Sequence, residues 1–198
     1  MKEKSVETLP LGWKFVRLGE VCEIIAGQSP DSSTYNTEHN GLPFYQGKAD
    51  FGLVSPVPRV WCSEPLRIAI KGDILLSVRA PVGPTNMANE NCCIGRGLCA
   101  IRADNINVDR GYLIAFFKHY ETKITEMGSG STFQAITIED VKNIPIPLPP
   151  LAEQKRIAGI IQTKFEAIRN LNTLLKTQLA FTSALSPSFL RQAFMGEF

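Results

Sequence analysis

The chain has 198 residues, 44% of them apolar, and a formal net charge of +2. That length holds one domain or one and a half, with apolar residues enough for a sizeable core. The near-balanced charge excludes a surface that is basic throughout, and no run of eighteen apolar residues offers a membrane-spanning helix.

Charge is uneven along the chain. Residues 151–198 carry six Lys or Arg against three acids, net +3, whereas the first 150 residues stand at −1. A nucleic-acid surface would therefore be a patch rather than a whole face. Five cysteines (Cys22, Cys62, Cys92, Cys93, Cys99) are odd in number and lack paired C-x-x-C spacing, and His39 and His119 are not placed to complete a metal set. They read as reduced, mostly buried thiols of a cytoplasmic protein. No apolar run follows Met1-Lys2-Glu3-Lys4-Ser5, so no signal peptide is expected.

Residues 1–9 are polar. Lys14-Phe15-Val16-Arg17 alternates as a half-buried strand does, and Leu18 to Ile25 predicts a helical turn followed by a strand. Gly27 to Gly41 is rich in turn residues and reads as a surface loop long enough to bind something. Strands are predicted at Leu42–Gln46, Arg59–Cys62, Arg67–Ile70, Asp73–Val78 and Gly97–Ile101, with a Lys71-Gly72 turn and a rigid Arg79-Ala80-Pro81-Val82-Gly83-Pro84 loop. Many short strands between Gly/Pro turns indicate a curved, mainly antiparallel sheet or barrel-like unit.

Asp109 is placed to cap a helix whose Tyr112, Leu113, Phe116, Phe117, Tyr120 and Ile124 form an apolar stripe. After the loop Gly128–Gln134, Thr137 and Asp140 form a capping box for a short helix. A proline ladder, Ile144-Pro145-Ile146-Pro147-Leu148-Pro149-Pro150, leads into a long helix from Leu151 to about Thr182. Ile161, Phe165, Ile168, Asn172, Leu175 and Leu179 recur at steps of three and four, an a/d seam with a polar residue where register is commonly fixed. The seam is too long for the domain before it to cover, so it needs a partner helix. Ser186-Pro187 is read as the start of a separate short helix closed by Gly196.

Catalytic signatures are missing. There is no G-x-x-x-x-G-K-[ST], and Gly128-Ser129-Gly130 lacks the third glycine of a dinucleotide loop. Leu148-Pro149-Pro150-Leu151 lacks the polar residue of an adenine-methylating motif, and the two histidines form no Ser-His-Asp or Cys-His set. Binding signals are stronger. Gln46-Gly47-Lys48, Arg79 before Ala80-Pro81, and Gly95-Arg96-Gly97 each set a cationic or amide side chain beside glycine, and Gly128–Gln134 adds hydroxyls and an amide. Glycine admits close backbone approach to phosphate, Arg and Lys neutralise it, and Arg and Gln pair with base edges. Any one such loop is also what an ordinary solvated turn looks like.

Several stretches carry a family resemblance: Leu9-Pro10-Leu11-Gly12-Trp13 with Leu18-Gly19-Glu20-Val21, Lys71-Gly72-Asp73-Ile74-Leu75-Leu76-Ser77-Val78-Arg79, and Gly130-Ser131-Thr132-Phe133-Gln134. The most specific is Pro147-Leu148-Pro149-Pro150-Leu151-Ala152-Glu153-Gln154, and Leu190-Arg191-Gln192-Ala193-Phe194 completes the set. The chain resembles the specificity (S, HsdS) subunit of type I restriction-modification systems, in a half-length form with one target recognition domain and one helical region.

The resemblance implies an α+β fold. A small mixed, mainly antiparallel β target recognition domain (1–148) is followed by a helical spacer and dimerisation region (149–198), whose long helix pairs antiparallel with a partner helix. It implies a non-catalytic DNA-specificity subunit with no cofactor or metal of its own. Its partners would be double-stranded DNA, methyltransferase (M) subunits that modify adenine with S-adenosylmethionine, and restriction (R) subunits. A homodimer would direct both to a bipartite site, an interrupted palindrome. The chemistry of the loops nominates Lys48, Arg79, Arg96, Ser131 and Gln134 for DNA; the helix spacing nominates Ile161, Phe165, Ile168, Asn172, Leu175 and Leu179 for dimerisation. The competing reading is a protein-interaction module, or a truncated specificity fragment, that docks on the methyltransferase without reading DNA.

Overall fold

In the computed structural model, which describes residues 9–104, 106–128 and 135–195 (184–193 by backbone alone), the chain opens as the sequence predicts. A strand, β1 (Lys14–Arg17), is followed by one helical turn, α1 (Leu18–Val21), and a second strand, β2 (Cys22–Ala26). Short strands come next: β3 (Tyr35–Asn36), β4 (Leu42–Tyr45), β5 (Trp61–Cys62), β6 (Ile68–Ala69), β7 (Ile74–Ser77), β8 (Thr85–Met87), β9 (Cys92–Ile94) and β10 (Leu98–Ala103). Helices α2 (Arg110–Gly128) and α3 (Ile138–Lys142), strand β11 (Pro145–Leu148) and helix α4 (Leu151–Met195) complete the order. The strands form three sheets, β1-β11, β2-β10-β7-β8 and β3-β5-β4-β9-β6, antiparallel except for the β4–β9 pair. The fold is α+β.

The four-stranded sheet organises the core because its central strands are apolar on both faces. Ile74 and Leu76 of β7, with Cys99 and Ile101 of β10, join the cluster that holds Leu113 and Phe117 of α2. Leu75, Leu98 and Ala100 point the other way, into a second cluster with Tyr45, Cys92 and Ile94 of the five-stranded sheet. A continuous apolar run such as Ile74-Leu75-Leu76 is what a strand buried on both faces requires. Beyond the five-stranded sheet, Phe44, Cys62 and Cys93 form a third, smaller cluster. Arg102 of β10 ties β2 to the turn that opens β7: its guanidinium donates to both oxygens of the buried Asp73 (3.1 and 2.9 Å) and to Glu23 (3.0 Å). The segments flanking Lys71-Gly72 part company, β6 joining the five-stranded sheet and β7 the four-stranded one.

Both predicted caps are present. Tyr112 N–H donates to the Asp109 carboxylate (2.9 Å), and Thr137 and Asp140 bond reciprocally at the start of α3. The Asp140 carboxyl is held below its ordinary value, first by the Thr137 hydroxyl and then by the Thr137 N–H.

Three expectations change. The stretch Gly27–Gly41 is not loop throughout: Asp31 accepts from the Ser33 N–H and hydroxyl, holding a short 3-10 turn (Ser32–Thr34) that delivers β3. The proline ladder is a strand. Among the described residues β11 pairs only with β1, Arg17 opposite Pro145 and Lys14 opposite Leu148, so its prolines sit where the missing N–H groups cost little. Finally, no new helix starts at Ser186-Pro187; α4 runs unbroken to Met195. A proline inside a helix removes one hydrogen bond, and here no glycine stands with it to turn the chain. The chain divides into two compact units, Met1–Ala158 and Gly159–Phe198, so the first turns of α4 belong to the first. No helix among the described residues is long and apolar enough to cross a membrane.

All five cysteines are free and buried. Burial pushes the Cys22, Cys92 and Cys99 thiols up to about 12 and Cys93 to about 11. The native chain is expected to resist a thiol-alkylating reagent and to release five reactive thiols in denaturant. Unfolded thiols ionise near 9 while Cys22, Cys92, Cys93 and Cys99 keep their protons in the fold, so stability should fall as pH rises from 9 towards 12. Rapid labelling of the native chain would contradict this.

Candidate nucleic-acid interface

Two of the nominated cations meet. Ser29, Gln46, Gly47, Ser77, Arg79, Ala80, Arg96 and Gly97 line an open polar pocket of about 180 Å³. Four chain segments supply it: the end of β4, the end of β7, the β9–β10 turn and the loop after β2. None is adjacent in sequence to another; the sheets bring them together.

Backbone packing fixes these loops. Val78 N–H donates to the Gly97 carbonyl (3.0 Å), Gln28 N–H to the Ile94 carbonyl (2.9 Å), and Gly95 N–H to the Tyr45 carbonyl (2.8 Å). Arg96 N–H reaches the Ser29 hydroxyl (3.3 Å), and Ser77 donates its hydroxyl to the Arg79 carbonyl (3.0 Å). At Gly97 a Cβ would lie 2.1 Å from the Gln46 carbonyl oxygen, so only glycine lets the two loops touch. The Asp50 carboxylate accepts from the N–H groups of Gln46 and Gly47 and pairs with Arg59 on its other oxygen. That pins the backbone while the Gln46 side chain stays exposed.

Arg79 and Arg96 are both exposed, and among the described residues neither has a carboxylate within ion-pair distance. Tyr35 lies near Arg96. Partial burial raises the Tyr35 phenol above its ordinary value, with smaller pushes from Cys62, Cys93 and Asp31 and a counter-pull from Arg96. Its hydroxyl donates to the Pro30 carbonyl (2.8 Å). Two unpaired guanidiniums beside an amide and two hydroxyls suit phosphate oxygens or base edges, both rich in acceptors. Among the described residues, no group of three or more His, Cys, Asp or Glu could hold a metal ion.

Lys48, exposed in a 3-10 turn (Lys48–Asp50), does not line the pocket. Ser131 and Gln134 lie outside the described residues. The first described residue after them, Ala135, forms an antiparallel bridge with Arg79. Ser29 is one of several hydroxyls in its turn-rich loop that the sequence alone does not distinguish, and the fold places it on the pocket lining. On α4, Ile161 is half-buried; Phe165, Ile168, Asn172, Leu175 and Leu179 are exposed, the apolar four at 53%, 52%, 61% and 69%.

The HsdS subunit of Thermoanaerobacter tengcongensis is 50% identical, with a TM-score of 0.76 over 86% of this chain and 41% of that one. A chain from a type I R-M system solved for its assembly and conformational transition is 48% identical, with a TM-score of 0.87 over 97% of this chain and 48% of that one. A curated relative from Methanocaldococcus jannaschii, assigned as the MjaX type I restriction enzyme specificity subunit, is 45% identical over 159 residues, 79% of this chain and 37% of the relative. The chain thus spans less than half the length of each. The model of the type I restriction modification DNA specificity domain matches residues 10–179, and the chain belongs to that family.

Proposed function

We propose that this chain is the non-catalytic DNA-recognition subunit of a cytoplasmic type I restriction-modification complex. In this reading residues 1–148 are the target recognition domain and 149–198 the spacer and dimerisation region. Two copies, paired antiparallel through α4, read an interrupted palindrome and bring M subunits, which carry S-adenosylmethionine, and R subunits to it. Adenine in each half-site is the base methylated. The observation that carries the reading is the convergence of Arg79, Arg96 and Gln46 on one exposed pocket, with no acidic partner for either arginine among the described residues.

A pool of random duplexes, selected on the chain alone and with its M subunits, supplies the test. Recovered sites should be inverted repeats with a fixed gap. Affinity should fall steeply with salt, because each neutralised phosphate releases counterion. Arg79→Ala and Arg96→Ala are each expected to weaken the selected duplex about 10–100-fold. A phosphate contact would also flatten the log–log salt slope by about one; a base contact would relax one position of the site instead. If neither the chain nor its complex selects a sequence, the docking-module reading takes its place.

A further inference from the structure

The exposed seam of α4 has ends, and they fix more than the fact of pairing. We infer that two copies meet in one register, with the two-fold axis level with Asn170. This rests on the antiparallel homodimer proposed above.

In an antiparallel pair of helices each a residue faces a d residue of the partner, and two-fold symmetry demands that if i meets j, j also meets i. Ile161 and Leu179 stand nine residues either side of Asn170, Phe165 and Leu175 five, and Ile168 and Asn172 two. All six seam residues then find a seam partner, and the two Asn172 amides fall in adjacent layers flanking the axis. Leu171 approaches its own copy beside them.

Registers shifted by one heptad step fail for different reasons. Moving the axis towards the C-terminus sets Phe165 against Thr182 and Ile161 against Ser186, losing two apolar layers. Moving it towards the N-terminus sets Leu179 against Gln154 and Leu175 against Ala158. Gln154 is fully buried in the first unit, and Ala158 already packs on its core. At roughly 100 Å² per side chain, the seam with Leu171 and Leu174 withdraws on the order of 800 Å² per copy, what a standard interface buries on each side. The register sets the two Ala158 residues about 36 Å apart along the helices, close to one turn of B-DNA.

Charge exchange across layers tests the register. Leu179→Asp alone should weaken the dimer about 100-fold in sedimentation equilibrium, by placing an unpaired carboxylate against Ile161. Adding Ile161→Lys in the same chain should restore association to within about 10-fold of wild type. Adding Ile168→Lys instead should not. Circular dichroism of each variant checks that the helix persists. Rescue by Ile168→Lys, or by neither lysine, overturns the register and leaves the dimer standing. A wild-type chain monomeric at about 100 µM, roughly the concentration of a weak association, removes the dimer and the register together.

Discussion

Gln154→Leu is expected to cost the first unit about 3–5 kcal/mol, although leucine matches the volume and keeps the helix propensity. Gln154 is completely buried and spends its whole amide on backbone. Its oxygen accepts from Asp109 N–H at 2.8 Å, and its nitrogen donates to the carbonyls of Asn107 and Pro149, both at 2.9 Å. The amide thereby clasps the first turn of α4 to the residue that caps α2 and to the end of the proline ladder. Leucine strands one donor and two acceptors away from water, and each stranded group costs roughly 1–3 kcal/mol. Gln154→Glu separates polarity from shape. Its carboxylate still accepts from Asp109 but faces two carbonyls, so the charged form is disfavoured and its pKa rises. The Glu variant should be weak at neutral pH and recover as pH falls and the carboxyl becomes a donor. Urea melts of both variants between pH 4 and 8 read this out; a loss under about 1 kcal/mol for leucine would mean that water takes over the clasp.

How much of this was legible in the sequence follows from how local each signal is. Asp109, Thr137 and Asp140 act within one turn of their own helices, so residue type and spacing sufficed. The apolar run at β7 announced a buried strand, because burial on both faces leaves no alternation to confuse it. Two- and three-residue strands such as β3 and β8 carry no readable period; their pairing is decided by partners far along the chain. β11 was hidden for a different reason. Its prolines argue against a strand until the partner is known to lie on one side only. Gln154 was visible as part of a motif, but its role needs Asp109 and Asn107, more than forty residues away. The pocket divides in the same way. Glycine beside a cation flagged Arg79 and Arg96 one at a time, and only the meeting of two sheets puts them together. Lys48 had the same local chemistry, yet the turn at Lys48–Asp50 leaves it off the pocket lining.

Gly97→Ala should do more damage to DNA binding than loss of either arginine, while leaving both arginines in place. The added methyl would stand 2.1 Å from the Gln46 carbonyl oxygen, which is backbone and cannot rotate away. The β9–β10 turn must shift, and with it the Val78–Gly97 hydrogen bond (3.0 Å) that aligns the end of β7. Forced overpacking of this kind costs typically 1–3 kcal/mol, within reach of a domain this size. The folded fraction should therefore survive at 25 °C with a melting temperature lowered by several degrees. Arg96, Arg79 and Gln46 would be displaced relative to one another, since the Val78–Gly97 and Gly95–Tyr45 hydrogen bonds tie the Arg79 and Gln46 loops to the turn that carries Arg96. Duplex affinity should fall by more than about 100-fold, as it would if both guanidiniums were withdrawn from the DNA together. Gly159→Ala is the control: a Cβ there also meets nothing within 4 Å, Gly159 does not line the pocket, and binding should hardly change. If Gly97→Ala lowers the melting temperature yet binds the selected duplex like wild type, the pocket is not where DNA is read, and the segment 129–134 with Ala135 becomes the place to look.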